Sequence, residues 1–446
     1  MNHEGRSPTP AYGVHASACQ SAVVLRSKLE HHPMTQPLDT THSFAHRPVF
    51  MVQKLLRMVP GRTIVARVGR SLVLLLIALM GGNAFGAEDT NNLPAPIEFQ
   101  PWKIRVVFFT PSDLHVPSGA HERITKIAQY MEKFFFDGMK RWNYPPAAKT
   151  LFQWDADGKV QMLEVSGDEP VASHKYDKPN YAPYVIQKAS KQYGIKNRGN
   201  IWWIFIYLGD PPARFAKWEG FGNAKDGGWS MVDYDSRSGE IRPDLSMVDG
   251  FNGIYFLKGT LHELGHAFGL PHTAPDPDLG LGNTLMGPST VVYVKRKGAN
   301  ADKVYFDEAC AAMLWKHPFF SGIGKDRLVK PSVTLAEYQP NFNASNGSVT
   351  ISGKLVSDQP AHSVIVADDG GKPDDDYWYR SYVSRLSPDG TFQVTINKPL
   401  KGEGKYYILF CFENGAVTGD GKIAFGRETA IRKSYRFHNG KFEFEN

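Results

Sequence analysis

The stretch LHELGHAFGLPH, from Leu261 to His272, sets three histidines, one glutamate and two glycines close together. On a helix, His262 and His266 share one face, one turn apart. Two neutral imidazoles so placed can hold one zinc ion. Glu263 is the next residue round, beside the metal, where a general base for a metal-bound water belongs. Gly269 suits the left-handed conformation that ends a helix and swings the chain sharply, and Pro271 cannot easily continue the helix. That turn predicts a return of His272 to the same ion as a third ligand. Three protein ligands leave a fourth position for water, the mark of a catalytic rather than a closed structural site. At average residue usage, His-Glu-x-x-His-x-x-Gly-x-x-His arises by chance on the order of once in 10⁵ chains of this length. A lone helical histidine would carry no such weight.

With those residues in view, the stretch resembles the metzincin clan of zinc metalloendopeptidases. The clan pattern adds a methionine in a tight turn beneath the metal, and GNTLMGPS (282–289) supplies Met286, fourteen residues after His272. So short a gap resembles the matrixin side of the clan. Two features depart from it. Thr273 follows the third histidine, a residue that does not select a matrixin. Pro288 stands two residues after Met286, where some members carry a ligating tyrosine. The resemblance implies His262, His266 and His272 as zinc ligands and Glu263 as catalytic base. It implies Gly269 and Met286 as structural support, Met286 serving as an apolar floor. It also implies a substrate lying extended along an edge strand, for which GGWSMVDY (227–234) is the expected candidate. PSTVVYV (288–294) would border the pocket beyond the scissile bond.

Outward from the motif, the pattern fits the same layout. WKIRVVFFTPSD (102–113) reads as a buried strand. In 119–142, Ile124, Ile127, Met131, Phe134 and Phe135 recur at helical spacing. LFQWDADGKVQMLEV (151–165) reads as a hairpin around Asp157 and Gly158; Asp155 and Asp157 resemble the start of a calcium loop, but Ser166 stands where its closing Glu would be. A helix over 182–193 leads to a second buried strand in NIWWIFIYLGD (200–210). FDEACAAMLWKHPFF (306–320) reads as a last helix stopped by Pro318. Asp276 and Asp278 would allow a calcium site, though a proline-stiffened surface loop accounts for them more simply.

From about Ser332 the period changes to short alternating runs broken by turns, about seven strands, which suggests a β-sandwich. The expected fold class is α+β: a metzincin-like catalytic domain with a twisted mixed sheet and helices, over 88–328, followed by an all-β sandwich-like domain over 329–446. No catalytic cluster marks the second domain. It is expected to bind substrate, a surface or a polysaccharide, and Tyr377, Trp378 and Tyr379 suit either a binding face or a strand packed on both sides, packing being the simpler reading.

Residues 1–87 read as a leader. A basic region ends at Arg70, an apolar core runs from Leu72 to Met80, and small residues surround Ala84 to Ala87, the pattern of a cleaved secretory signal. The core is far shorter than the roughly 20 residues of a spanning helix, so no stable membrane insertion is expected after cleavage; an uncleaved anchor is the alternative. The polar first fifty residues suit a translation start at Met51 or Met58. This leader carries nine Lys/Arg and three Asp/Glu, which is the whole net charge of +6. A neutral remainder gives no electrostatic case for nucleic acid. Of the three cysteines, Cys310 and Cys411 lie beyond the leader, and export permits either a disulfide or two buried thiols.

The expected activity is therefore that of a secreted or periplasmic zinc endopeptidase, with one catalytic zinc and a protein or peptide substrate. One alternative is a zinc hydrolase with a non-protein substrate. Another is a secreted zinc-binding adhesion or surface-binding protein with little or no peptidase activity, against which the retention of Glu263 argues.

Overall fold

The first strand, β1 (Arg105–Thr110), is buried at every position, as its unbroken apolar and β-branched run demands. The computed structural model describes residues 98–177, 181–210, 218–223, 226–237, 241, 257–322, 329–372, 375–418 and 430–445. The expected leader lies outside them. Helix α1 (Ala120–Arg141) follows, burying Ile124, Ile127, Met131, Phe135 and Met139 at helical spacing and ending on Lys140 and Arg141, cations that suit the negative end of the helix dipole. Next come β2 (Met162–Ser166), α2 (Ala182–Tyr193), β3 (Asn200–Ile206), β4 (Glu219–Asn223) and β5 (Gly227–Asp233).

These strands form one sheet in the order β2-β1-β3-β5-β4. All neighbours are parallel except β4, which runs antiparallel to β5. The sheet is thus mixed, with helices on both faces. Alternate residues divide between two cores. Val106, Phe108, Trp203 and Phe205 face α1, whereas Val107, Phe109, Trp202 and Ile204 face Val185, Ile186 and Ala189 of α2. Two expectations are corrected here. The hairpin in 151–165 turns at Asp157 and Gly158 as expected, with Asp155 N donating to Lys159 O and Gln161 N to Gln153 O, but it is shorter than expected, with one antiparallel bridge from Trp154 to Val160, because Met162–Ser166 finds its partner in β1 instead. GGWSMVDY is not an edge: β5 is paired on both sides, and β4 is the outer strand among the described residues.

Helix α3 (Leu257–Ala267) carries the first two motif histidines. It buries Leu261, Leu264 and Ala267 in the same core as α1 and lies tight on the end of the sheet. A Cβ at Gly220 of β4 would meet the Glu263 backbone carbonyl. Then come β6 (Asn283–Thr284), α4 (Thr290–Lys295), β7 (Val304–Tyr305), α5 (Glu308–Trp315) and α6 (Pro318–Ser321). PSTVVYV thus supplies most of a short helix. Pro318 stops α5, as expected, and then opens α6 at its first position, where its missing N–H costs nothing.

The remainder is all β: β8 (Thr334–Asn343), β9 (Ser348–Val356), β10 (Ala361–Asp368), β11 (Arg380–Arg385), β12 (Thr391–Ile396), β13 (Glu403–Phe412), β14 (Val417–Thr418), β15 (Ile431–His438) and β16 (Lys441–Phe444). A three-stranded sheet, β12-β9-β8, faces a six-stranded one, β11-β10-β13-β15-β16 with β14 beside β13. Strands β10 and β13 explain their own sequences. One face, with Val364, Val366, Ile408 and Phe410, fills the sandwich core. The other, with Ile365, Ala367, Leu409 and Cys411, joins the core that contains α1, α3 and α5. A strand buried on both faces has no polar positions to alternate, hence YYILFCF. Cys310 and Cys411 are both buried free thiols. No described helix is long and apolar enough to cross a membrane.

Candidate metal centre

Helix α3 ends in a pair of hydrogen bonds that the glycine makes possible. Leu270 N donates to Gly265 O at 3.0 Å, and Gly269 N donates to His266 O at 2.9 Å, the Schellman arrangement. Gly269 sits at φ 92°, a region closed to residues with a Cβ. The chain turns back there and delivers His272. The Nε2 atoms of His262 and His266 are 3.1 Å apart, and those of His266 and His272 are also 3.1 Å apart. The three rings offer ligand atoms that all lie within 4.8 Å of one another.

The other nitrogen of each ring decides what this cluster can do. His262 Nδ1 lies 2.9 Å from Leu285 O, and His266 Nδ1 lies 2.8 Å from Leu270 O. His272 Nδ1 lies 2.8 Å from Asp376 Oδ1. Each oxygen can only accept, so each Nδ1 donates and each neutral ring keeps its lone pair on Nε2. Burial, then the charges of His266, Lys258 and His272, push the His262 pKa well below its usual range, which favours that neutral form. Lone pairs 3.1 Å apart repel unless a cation lies between them. Nitrogens bound at about 2.05 Å in tetrahedral geometry would be about 3.3 Å apart. Spacing, tautomers and outer partners all fit a zinc ion held by His262, His266 and His272.

Glu263 is on the same helix turn. Burial and then the negative charge of Glu219 push its carboxyl up to about 8, against the pull of Lys258. Lys258 is itself buried, and its ammonium donates to Gly287 O and Pro288 O, both at 3.0 Å. That pins the turn carrying Met286 to α3. Met286 is fully buried, and Gly265 leaves the space that its sulfur fills: a Cβ at Gly265 would run into Met286 Sδ. Thr273 anchors the chain after the third histidine by donating from Oγ1 to Asp307 Oδ2 at 2.9 Å. Asp307 in turn caps α5 by accepting from Cys310 N.

The three histidines expected as ligands are thus brought together, with Gly269 in the turn that returns His272 and Met286 packed against Gly265 of the same helix. The β-domain, in which the sequence marks no catalytic cluster, also contributes here. Its connection between β10 and β11 reaches the histidines. Asp376 meets His272, and the Tyr377 ring stacks on the His272 ring with centroids 3.7 Å apart. Trp378 lies under the Arg296 guanidinium at 4.1 Å. Of the three aromatics singled out in the sequence, Tyr379 is buried and stacks on Tyr407, as packing predicts, whereas Tyr377 lies on the His272 ring and Trp378 under Arg296. The sequence signal for them is weak: acids beside aromatics in a loop between two strands. Asp278 pairs with Lys398 of the β-domain at 2.6 Å, and Asp276 caps a short 3₁₀ turn, so both carboxylates have structural uses in the surface loop expected there.

No protein-family model and no curated protein matches the chain. Solved structures do. OgpA from Akkermansia muciniphila, catalytically inactive and in complex with an O-glycopeptide substrate, glycodrosocin, matches with a TM-score of 0.61 at 18% identity, over 79% of this chain and 98% of that one. Two crystal forms of wild-type OgpA match with a TM-score of 0.59 at 19% identity, again over 79% of this chain and over 98% and 99% of theirs. The α+β fold expected from the motif, a mixed sheet with helices followed by antiparallel β-sheets, is therefore the fold of OgpA.

Proposed function

We propose that this protein is a zinc-dependent endopeptidase that cleaves O-glycosylated peptides, with Glu263 as general base. The observation that carries the reading is the set of three Nε2 atoms brought together, each ring oriented by an oxygen on its far nitrogen, with Glu263 on the same helix as His262 and His266. Zinc bound there would lower the pKa of a coordinated water to about 7 and polarise a carbonyl. Glu263 would take a proton at its carboxylate and return it to the leaving nitrogen. Lys258 holds the Met286 turn and favours the ionised form of Glu263.

Substrate is expected to pair with β4. That strand is hydrogen-bonded on one side by β5, and its Gly220 lies against the Glu263 backbone carbonyl, so a peptide added along it would run beside the helix turn that carries the base. Phe221, 64% exposed on this strand, offers an apolar contact. The glycopeptide class is supported by the complex of OgpA, whose fold this chain shares. Export, on the strength of the leader, completes the reading, and N-terminal sequencing of the mature protein tests it.

The test of activity uses residues 88–446, an O-glycopeptide and the same peptide without its glycan. Cleavage of the glycopeptide that a chelator abolishes, and that Glu263→Ala loses by about 10²–10⁴-fold while keeping its zinc, supports the proposal. Equal cleavage of both peptides removes the glycan requirement. Cleavage of neither, with one zinc tightly held, refutes the peptidase reading and favours a binding protein.

A further inference from the structure

Two of the three histidines are oriented by their own neighbourhood. His266 uses the carbonyl of the turn that ends its helix, and His262 uses the carbonyl next to Met286. His272 has left the helix, and its Nδ1 is met by a carboxylate 104 residues later in the chain. We infer that the β-domain completes the metal centre, with Asp376 as the positioning residue for His272 and Tyr377 as the surface that fixes its ring plane. This rests on the zinc reading above.

The connection that carries them is fastened to the catalytic part from two sides. Ala274 N, two residues past His272, donates to Tyr379 O at 2.8 Å. Arg296, at the end of α4, stacks on Trp378 and donates to Asp375 Oδ2 at 3.2 Å. Between these anchors Asp376 accepts from His272 Nδ1 at 2.8 Å, and Tyr377 lies nearly parallel to the imidazole, 25° between the planes. A carboxylate on the far nitrogen does two things. It sets the tautomer and rotation of the ring, and it raises the electron density on the ligating nitrogen. A ring held on one face and at Nδ1 has no freedom left to swing Nε2 away. The sandwich is thus part of the metal-binding apparatus, and the catalytic part without it would present two fixed ligands and one loose one.

The test compares zinc affinity, by chelator competition, in residues 88–446 and in Asp376→Ala and Asp376→Asn. Loss of an outer partner of this kind costs about 10–100-fold in metal affinity. Asp376→Ala should weaken zinc by that factor. Asp376→Asn, which keeps an acceptor oxygen, should recover part of the loss, and the cobalt-substituted absorption spectrum should shift in both. Melting of the metal-free proteins should change little, whereas a merely structural contact would lower that melting temperature and leave zinc affinity alone. Parental zinc affinity in Asp376→Ala overturns the inference. A parent that holds no zinc overturns the zinc reading itself, a result readily told from the first.

Discussion

Acidification from pH 8 to pH 5 should destabilise the protein by about 2 kcal/mol through one residue, His362. It is 7% exposed and sits where β10 meets the helices. Its ring lies 4.9 Å from that of Trp315, edge to face. Arg385 stacks on Tyr144 and Trp315 at 3.7 and 4.6 Å, and Lys316 lies over Trp315 at 4.0 Å while pairing with Glu413. Burial first, then the charges of Arg385 and Lys316, push the His362 pKa from 6.5 to about 3. The unfolded chain therefore takes up a proton near pH 6.5 that the folded chain refuses until about pH 3. Stability from this group is complete above pH 6.5 and is lost as the pH falls through that window. Linkage gives RT ln[(1 + 10^(6.5−pH))/(1 + 10^(3−pH))], which is about zero at pH 8 and about 2 kcal/mol at pH 5. The assay is urea unfolding at several pH values in the parent and in His362→Gln, which retains a hydrogen-bonding group and does not titrate. Only the difference in pH dependence matters, because Asp368, held up at about 6 chiefly by its burial, loses stability in the opposite sense as pH rises from 3.8 to 6 and does so in both proteins. Parallel pH profiles for parent and variant between pH 8 and 5 would refute the reasoning.

Gly265→Ala should cost about 1–3 kcal/mol by overpacking, since its new methyl falls on Met286 Sδ. In a Met286→Ala background the same change should cost much less, and a double-mutant cycle in urea that finds the two changes additive would exclude the contact. Lys258→Met removes the charge-assisted hydrogen bonds to Gly287 O and Pro288 O, a loss of about 1.5–3 kcal/mol. It also removes the cation that lowers the Glu263 pKa, so the acid limb of kcat/KM against pH should move to higher pH; an unmoved limb would separate Lys258 from the base.

What the sequence revealed and what it hid differ in range. The helix spacing of His262 and His266, the turn at Gly269 and the return of His272 are all set within a dozen residues, and local rules reach that far. The same is true of α1 and α2, whose burial repeats at helical spacing, and of β1 and β3, whose apolar runs are buried almost without a break. The edge of the sheet was hidden because it is a property of pairing. β5 has the glycines and alternation of an exposed strand, but the five residues of β4, EGFGN, cover it. Two of those five are glycines, a composition that resists being read as a strand at all. Their small size lets β4 lie directly on α3, so the feature that hid the strand also places it beside Glu263.

Asp376 lay beyond any spacing rule for a related reason. A metal centre needs oxygens on the outer nitrogens of its histidines, but the sequence does not say which oxygens. The helix supplies one through its own terminal turn, and the Met286 turn supplies another, so the need was already met locally for two rings. The third histidine is the one that the Gly269 turn throws clear of the helix. It is also the one whose partner comes from another sheet system. The two-faced burial of β10 and β13 bears on the same point. A β-domain that served only to hold a separate ligand would keep a polar outer face and a short linker. Here Ile365, Ala367, Leu409 and Cys411 join the core that holds α3, and that shared core is what brings the β10–β11 connection to within hydrogen-bonding distance of His272. The strand pattern that reads as mere burial is the means by which the second domain reaches the three histidines.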